Sequence, residues 1–100
     1  MNDLHSEAMD ELFRVILNLQ TPEECYALFA DLCTIREMQD MAQRLQVALL
    51  LDEGLNYQEI SNITTVSSAT ISRVNRCLVH GEGGYRQAVD RLKKKEGEAK

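Results

Sequence analysis

Val47–Leu51, the run VALLL, leaves a chain of this length few ways to fold. It lies in the second half of a helix that the spacing predicts from the Thr34-Ile35-Arg36-Glu37 capping pattern to about Glu53, with Gly54 as its stop. The first half of that helix is amphipathic through Ile35, Met38, Met41, Ala42 and Leu45, whereas VALLL is apolar on nearly every side. A helix buried all round must be the centre of something. One hundred residues make one domain with a modest core. Two arrangements satisfy the run: a compact monomer that folds its own helices over it, or a second copy that wraps part of it.

Two helices precede it. Over about 6–20, Met9, Leu12, Phe13, Ile16 and Leu17 recur at i, i+3, i+4, i+7 and i+8, and Val15 and Leu19 widen the stripe. So wide a face on a terminal helix needs cover on more than one side, which a partner subunit would supply. The second helix opens with Thr21-Pro22-Glu23-Glu24, which provides an N-cap, proline at the first helical position and a capping-box glutamate. Its stripe is Cys25, Leu28, Phe29, Leu32 and Cys33.

Tyr57–Arg76, YQEISNITTVSSATISRVNR, reads as a helix-turn-helix with the DNA-reading helix last. Asn56 and Glu59 stand at capping-box spacing, so a helix starts at Tyr57 and runs out at Ile63. Ser67 caps a second helix whose first turn is Ser68 and Ala69. There Ile71, Val74 and Leu78 form an inward stripe, with Ala69, Ser72, Arg73 and Arg76 on the opposite face. Small residues permit close approach to a duplex, hydroxyls bond to bases or phosphates, and guanidiniums reach guanine edges or phosphate oxygens. A plain helical hairpin would show a solvated face too. The joint inward set of Ile60, Ser61, Val66, Ile71 and Val74 favours the DNA-binding motif. The tight turn of such a motif usually contains glycine, because its backbone reaches φ > 0. Here the position falls on Thr65. Either Thr65 carries strain, or Thr64 and Thr65 make a different turn.

After His80-Gly81-Glu82-Gly83-Gly84, a flexible break, a last helix of about 85–95 carries Tyr85, Ala88, Val89 and Leu92. The tail KKKEGEAK is expected to fray, with Lys93–Lys95 solvated or touching phosphate. The whole reads as one all-α domain over 1–100. Dimerisation helices occupy about 6–53, the helix-turn-helix about 57–78, and the last helix closes the chain.

A net charge of −5 sits awkwardly with phosphate neutralisation. Its distribution helps: residues 1–50 hold 3 Lys+Arg against 9 Asp+Glu, residues 51–100 hold 8 against 7. The acid lies in the scaffold and the motif region is near neutral, which predicts weak non-specific binding. No apolar run approaches membrane-spanning length and the acidic start is unlike a signal peptide, so a cytoplasmic location is expected, without membrane association. Cys25, Cys33 and Cys77 lack CxxC spacing and read as small apolar residues in a reducing compartment. His5 and His80 are isolated in sequence. With no nucleophile–base pairing, phosphate loop or metal cluster visible, neither enzymatic activity nor a cofactor is expected.

Residues from about Thr21 to Leu92 resemble the Trp repressor superfamily, in its YerC/YecD branch. The resemblance is carried by TIRE at Thr34–Glu37, AQRLQVALLLDEG at Ala42–Gly54, YQEI at Tyr57–Ile60, SSATISRVNRCL at Ser67–Leu78 and GEGGY at Gly81–Tyr85. It implies a six-helix fold in an interlocked homodimer. Two reading heads would then enter successive major grooves of a palindromic operator, roughly 34 Å apart. By position it places base and phosphate contacts on Ser67, Ser68, Ala69, Thr70 and Ser72. Gln58 and Ser61 fall where the Trp repressor has basic residues approaching DNA, so their neutrality implies a shallower salt dependence.

The same resemblance puts Arg73, Thr34, Cys77 and either Arg44 or, with a one-residue slip, Gln43 at positions of the tryptophan pocket. Cys77, however, stands where the Trp repressor has a serine, and Val74 where it has a glycine beside the ligand, so that the branched side chain of Val74 fills the space an indole needs. Tryptophan binding is therefore expected to be lost, which leaves phosphate contact as the plainer role for Arg73. The function expected is sequence-specific transcriptional regulation, as a repressor occupying its operator, with Ser68, Ala69 and Ser72 near bases and Ser67, Thr70, Arg73 and Arg76 nearer phosphates. Two alternatives stand beside it. One is a helical dimerisation or adaptor module that no longer reads DNA; the other is a regulator gated by a small effector other than tryptophan.

Overall fold

The computed structural model describes residues 4–99, with side chains through Lys95. Among the described residues the chain is all-α, with six helices: α1 (Glu7–Leu17), α2 (Pro22–Leu32), α3 (Ile35–Asp52), α4 (Tyr57–Thr64), α5 (Ser68–His80) and α6 (Gly84–Ala99). The capping residues read from the sequence define most of these starts. Ser6 Oγ accepts from the Met9 N–H at 3.1 Å, and Thr21 Oγ1 from the Glu24 N–H at 3.1 Å. Reciprocal boxes open α3 and α4. The Thr34 N–H donates to Glu37 at 2.8 Å while the Glu37 N–H donates to Thr34 Oγ1 at 3.0 Å. Asn56 and Glu59 repeat the exchange at 2.8 and 2.9 Å. The Thr34 N–H, with the Thr34 hydroxyl second, holds the Glu37 carboxyl below its ordinary pKa.

The chain forms two units, Met1–Met38 and Gln39–Lys100. In the first, α1 and α2 contain no buried residue. Phe13 is 46% and Leu17 82% exposed, on helices whose apolar periodicity is unmistakable in sequence. The expected span of 6–20 for the first helix shortens to Glu7–Leu17. The reason lies in the next cap: the Gln20 N–H donates to the Glu24 carboxylate at 2.9 Å, so Gln20 belongs to the entry of α2.

The second unit holds the core. Val47 and Ala48 of α3, Ile60 of α4, Val66 of the turn, Ile71 and Val74 of α5, and Val89 of α6 form one buried cluster. Leu49, Leu50, Leu51, Leu55 and Tyr85 pack against it half-buried. The VALLL run is thus the floor on which the following three helices sit. α3 stops in a Schellman arrangement: the Gly54 N–H bonds to the Leu51 carbonyl at 3.0 Å and the Leu55 N–H to the Leu50 carbonyl at 3.2 Å. Gly54 takes φ = 95°, the left-handed conformation this stop requires.

One ionic contact that no local pattern announces fastens α6. Asp52, the last residue of α3, accepts from Arg86 at 2.6 Å and from Lys93, both on α6. Arg86 also bonds Asp90 at 2.7 Å, one turn on. This fixes Lys93 to protein. α6 runs on through the charged tail to Ala99, where Lys and Glu are good helix formers, instead of ending near 95.

Hydrogen bonds from Lys93 first and Arg86 second hold the Asp52 carboxyl below its ordinary value of 3.8. A lowered folded-state pKa means that the pair stabilises the fold above 3.8 and that this contribution disappears as pH falls through the still lower folded value. Both cations are more than a third exposed, so solvent screens the network. Asp52→Asn is expected to lower Tm by about 2–5 °C at pH 7. Thermal scans from pH 7 to pH 2 should show the wild-type advantage closing below about pH 4; a pH-independent difference would rule out the ionic origin.

Candidate nucleic-acid interface

α4 and α5 pack on each other through Ile60, Ile71 and Val74, each at most 1% exposed, with Val66 between the helices. Burial of α5 follows the inward stripe read from the sequence, with Leu78 also buried. That leaves Ser67, Ser68, Ala69, Ser72, Arg73 and Arg76 exposed on the opposite side, and Thr70 half-buried at their margin. Ser67 caps α5 by accepting from the Thr70 N–H at 3.2 Å, and its Oγ lies 3.2 Å from Thr70 Oγ1. The first turn of the helix is thus bound to its own cap, while Ala69 and Ser72 present only a methyl and a hydroxyl. Two guanidiniums, Arg73 and Arg76, are the cations of residues 57–78. The one carboxylate in that span, Glu59, is occupied by the Asn56 N–H.

On α4 the two residues assigned to DNA separate. Gln58 is exposed and Ser61 half-buried, so Gln58 has the freer side chain. Gln58 Nε2 donates to Asn62 Oδ1 at 3.1 Å, which ties two neutral amides together along the outer face. Asn62 was not singled out by sequence, although its i+4 spacing from Gln58 is a legible signal.

Of the two alternatives for the turn, the strained one is realised. Thr65 has φ 60° and ψ 14°, the one non-glycine residue with positive φ among the described residues. For an L-residue this backbone costs roughly 1–2 kcal/mol. Thr64 compensates locally. It is 6% exposed and extends α4 one residue beyond Ile63, its hydroxyl donating to the Ile60 carbonyl at 2.8 Å and accepting from the Val66 N–H at 3.2 Å. Hence the Val66 N–H is satisfied where the chain reverses. The sequence marked Thr64 only as part of an alternative turn with Thr65; its buried bonding role follows from the turn that brings Val66 back over it.

The residues assigned to an effector pocket fall in both units. Thr34 spends its side chain on capping α3, in the first unit. In the second unit, Arg44 is half-buried and Arg73 exposed. Cys77 lines an open, mainly apolar groove of roughly 440 Å³ with Leu45, Glu82, Gly84, Tyr85 and Ala88, to which neither arginine contributes. Val74 is 1% exposed and packed in the core, so its isopropyl group points away from the exposed face that carries Arg73. The three cysteines are free thiols: Cys25 and Cys77 are exposed and Cys33 is half-buried. Cys25 and Cys33 belong to the stripe read for the second helix, and α2 has no buried residue.

The sequence model of the Trp repressor protein family matches residues 7–93. This chain belongs to the Trp repressor family. A curated relative, YerC of Bacillus subtilis (strain 168), itself uncharacterised, is 50% identical over 99 residues, covering 99% of this chain and 95% of its own. The crystal structure of a TrpR-like protein from Eubacterium eligens superposes with a TM-score of 0.88 at 43% identity, covering 93% of this chain and 96% of that one. A further solved structure, from Staphylococcus aureus, gives a TM-score of 0.85 at 47% identity over 90% of each chain. The Trp repressor family is one of DNA-binding regulators and not of enzymes. In this member of it, the two helices that carry the motif are those whose exposed faces hold the candidate DNA-contacting residues. No described helix is long and apolar enough to cross a membrane.

Proposed function

We propose that this protein is a sequence-specific transcriptional regulator, a repressor that binds a palindromic operator as a homodimer. The observation that carries the reading is the outward face of α5, where Ser67, Ser68, Ala69, Ser72, Arg73 and Arg76 stand exposed on a helix held from behind by the buried cluster. That is the surface a reading helix brings to a major groove: small residues for approach, hydroxyls for polar contact, guanidiniums for guanine or phosphate. Ser68, Ala69 and Ser72 are assigned to bases. Ser67, Thr70, Arg73 and Arg76 are assigned to phosphates, with Gln58 in support from α4 and Ser61 at the margin.

The homodimer is supported by α1 and α2. Two helices with strong apolar stripes and no buried residue need a surface to cover them, and a second copy satisfies both chains at once. Two copies also supply the two heads that a palindrome requires.

Selection of DNA from a random pool at low salt, with sedimentation of the protein alone, tests both halves. The expected results are enrichment of an inverted repeat with half-sites about one helical turn apart and a dimer in solution. A flat pool would leave the adaptor reading, which the acid-rich first half of the chain favours. A monomer that still selects a palindrome would remove the assembly and keep the DNA reading.

A further inference from the structure

The geometry points to Thr65 as a positioning residue for DNA reading: its left-handed backbone fixes the angle between α4 and α5, and thereby sets how sharply one base sequence is told from another. This rests on the proposed function. Glycine would take φ = 60° without steric cost, so the presence of a β-branched residue is not explained by stability. The two residues differ in how wide a well they occupy. A glycine at this position moves freely among several backbone regions, whereas a threonine sits in a small allowed pocket bounded by clashes.

The surroundings narrow that pocket further. The Thr65 N–H donates to the Ser61 carbonyl at 2.8 Å and the Thr65 hydroxyl to the Thr64 carbonyl at 2.5 Å. The buried Thr64 hydroxyl holds Ile60 on one side and Val66 on the other. A swing of α5 about the φ and ψ of Thr65 strains the bond from the Val66 N–H to the Thr64 hydroxyl, which spans the turn. Residues kept in such a conformation persist only where the structure over-determines them, and they concentrate at functional positions.

The reading face explains what the rigidity serves. With two cations in residues 57–78, the motif has little phosphate attraction with which to compensate for a loosely aimed helix. On α5 the remaining assigned contacts are Ser and Thr hydroxyls and an Ala methyl, side chains too short to re-aim themselves when the backbone moves. Discrimination therefore depends on the backbone of α5 arriving at one angle, to within about half an ångström.

The test compares full-length wild type, Thr65→Gly and Thr65→Asn for Tm and for affinity toward the enriched duplex and a scrambled duplex. Thr65→Gly is expected to melt about 3–5 °C higher and to bind the scrambled duplex like wild type. Its affinity for the enriched duplex should fall about tenfold, so that stability and specificity move in opposite directions. Thr65→Asn, which tolerates this backbone yet keeps a Cβ, is expected to retain discrimination within about threefold of wild type. Unchanged discrimination in Thr65→Gly, where wild type separates the duplexes, overturns the positioning role and leaves the proposed function standing. A Thr65→Gly Tm at or below wild type overturns it as well, because the turn then stores no strain. Failure of wild type itself to separate the duplexes overturns the proposed function and this inference with it.

Discussion

Ser72→Ala combined with Arg73→Ala lowers affinity for the selected duplex by on the order of 100-fold or more and leaves Tm within about 2 °C of wild type. The size of the loss follows from chemistry and symmetry. A well-placed side-chain contact to DNA contributes roughly 1–3 kcal/mol, and a dimer loses each one twice. Both side chains are exposed on the side of α5 opposite its buried stripe, so their removal opens no cavity. The salt dependence assigns the role of Arg73. If its guanidinium sits on phosphate, the slope of log affinity against log salt should fall by about one per half-site. An unchanged slope with lost discrimination would move Arg73 to a base edge, and an affinity unaffected by the pair would sink the assignment of this face altogether.

Ile60→Ala is expected to destabilise the fold by about 2–5 kcal/mol, whereas Ile63→Ala on the same helix stays within about 0.5 kcal/mol. The residues are chemically identical and three positions apart. Ile60 is fully buried in the cluster shared by α3, α4, α5 and α6, and Ile63 is 55% exposed. A domain of this size is stable by only about 5–15 kcal/mol, so losing the Ile60 side chain removes a large part of the total. Urea denaturation at fixed protein concentration measures both. Equal costs at the two sites would mean that the chain's native packing is not the one described, or that a partner buries Ile63.

Much of this was legible in the sequence because local rules wrote it. The Thr34–Glu37 and Asn56–Glu59 boxes form as read through bonds that span three residues, and at α2 the Thr21 cap forms while Glu24 accepts from the Gln20 N–H instead of the Thr21 N–H. The inward stripe of α5 follows from helical period alone. What lay hidden was non-local or conformational. Asp52 meets Lys93 across 41 residues, and no pattern in either neighbourhood foretells it. Thr65 looked equally compatible with strain or with another turn until its φ was known. The exposed face of α5 was readable as a set of residues. Their division between bases and phosphates is an assignment, because it depends on where a duplex lies and not on helical period.

With a second copy covering α1 and α2, as proposed, the ordering of these arms becomes a bimolecular event. Their melting temperature then depends on protein concentration, and dilution loosens the arms before the α3–α6 core gives way. Where most of the chain is monomeric, the supply of paired reading heads varies with the square of protein level, so a twofold change in synthesis becomes a nearly fourfold change in binding-competent molecules. A helix that hides nothing by itself would thus make abundance the control on occupancy, without any ligand at all.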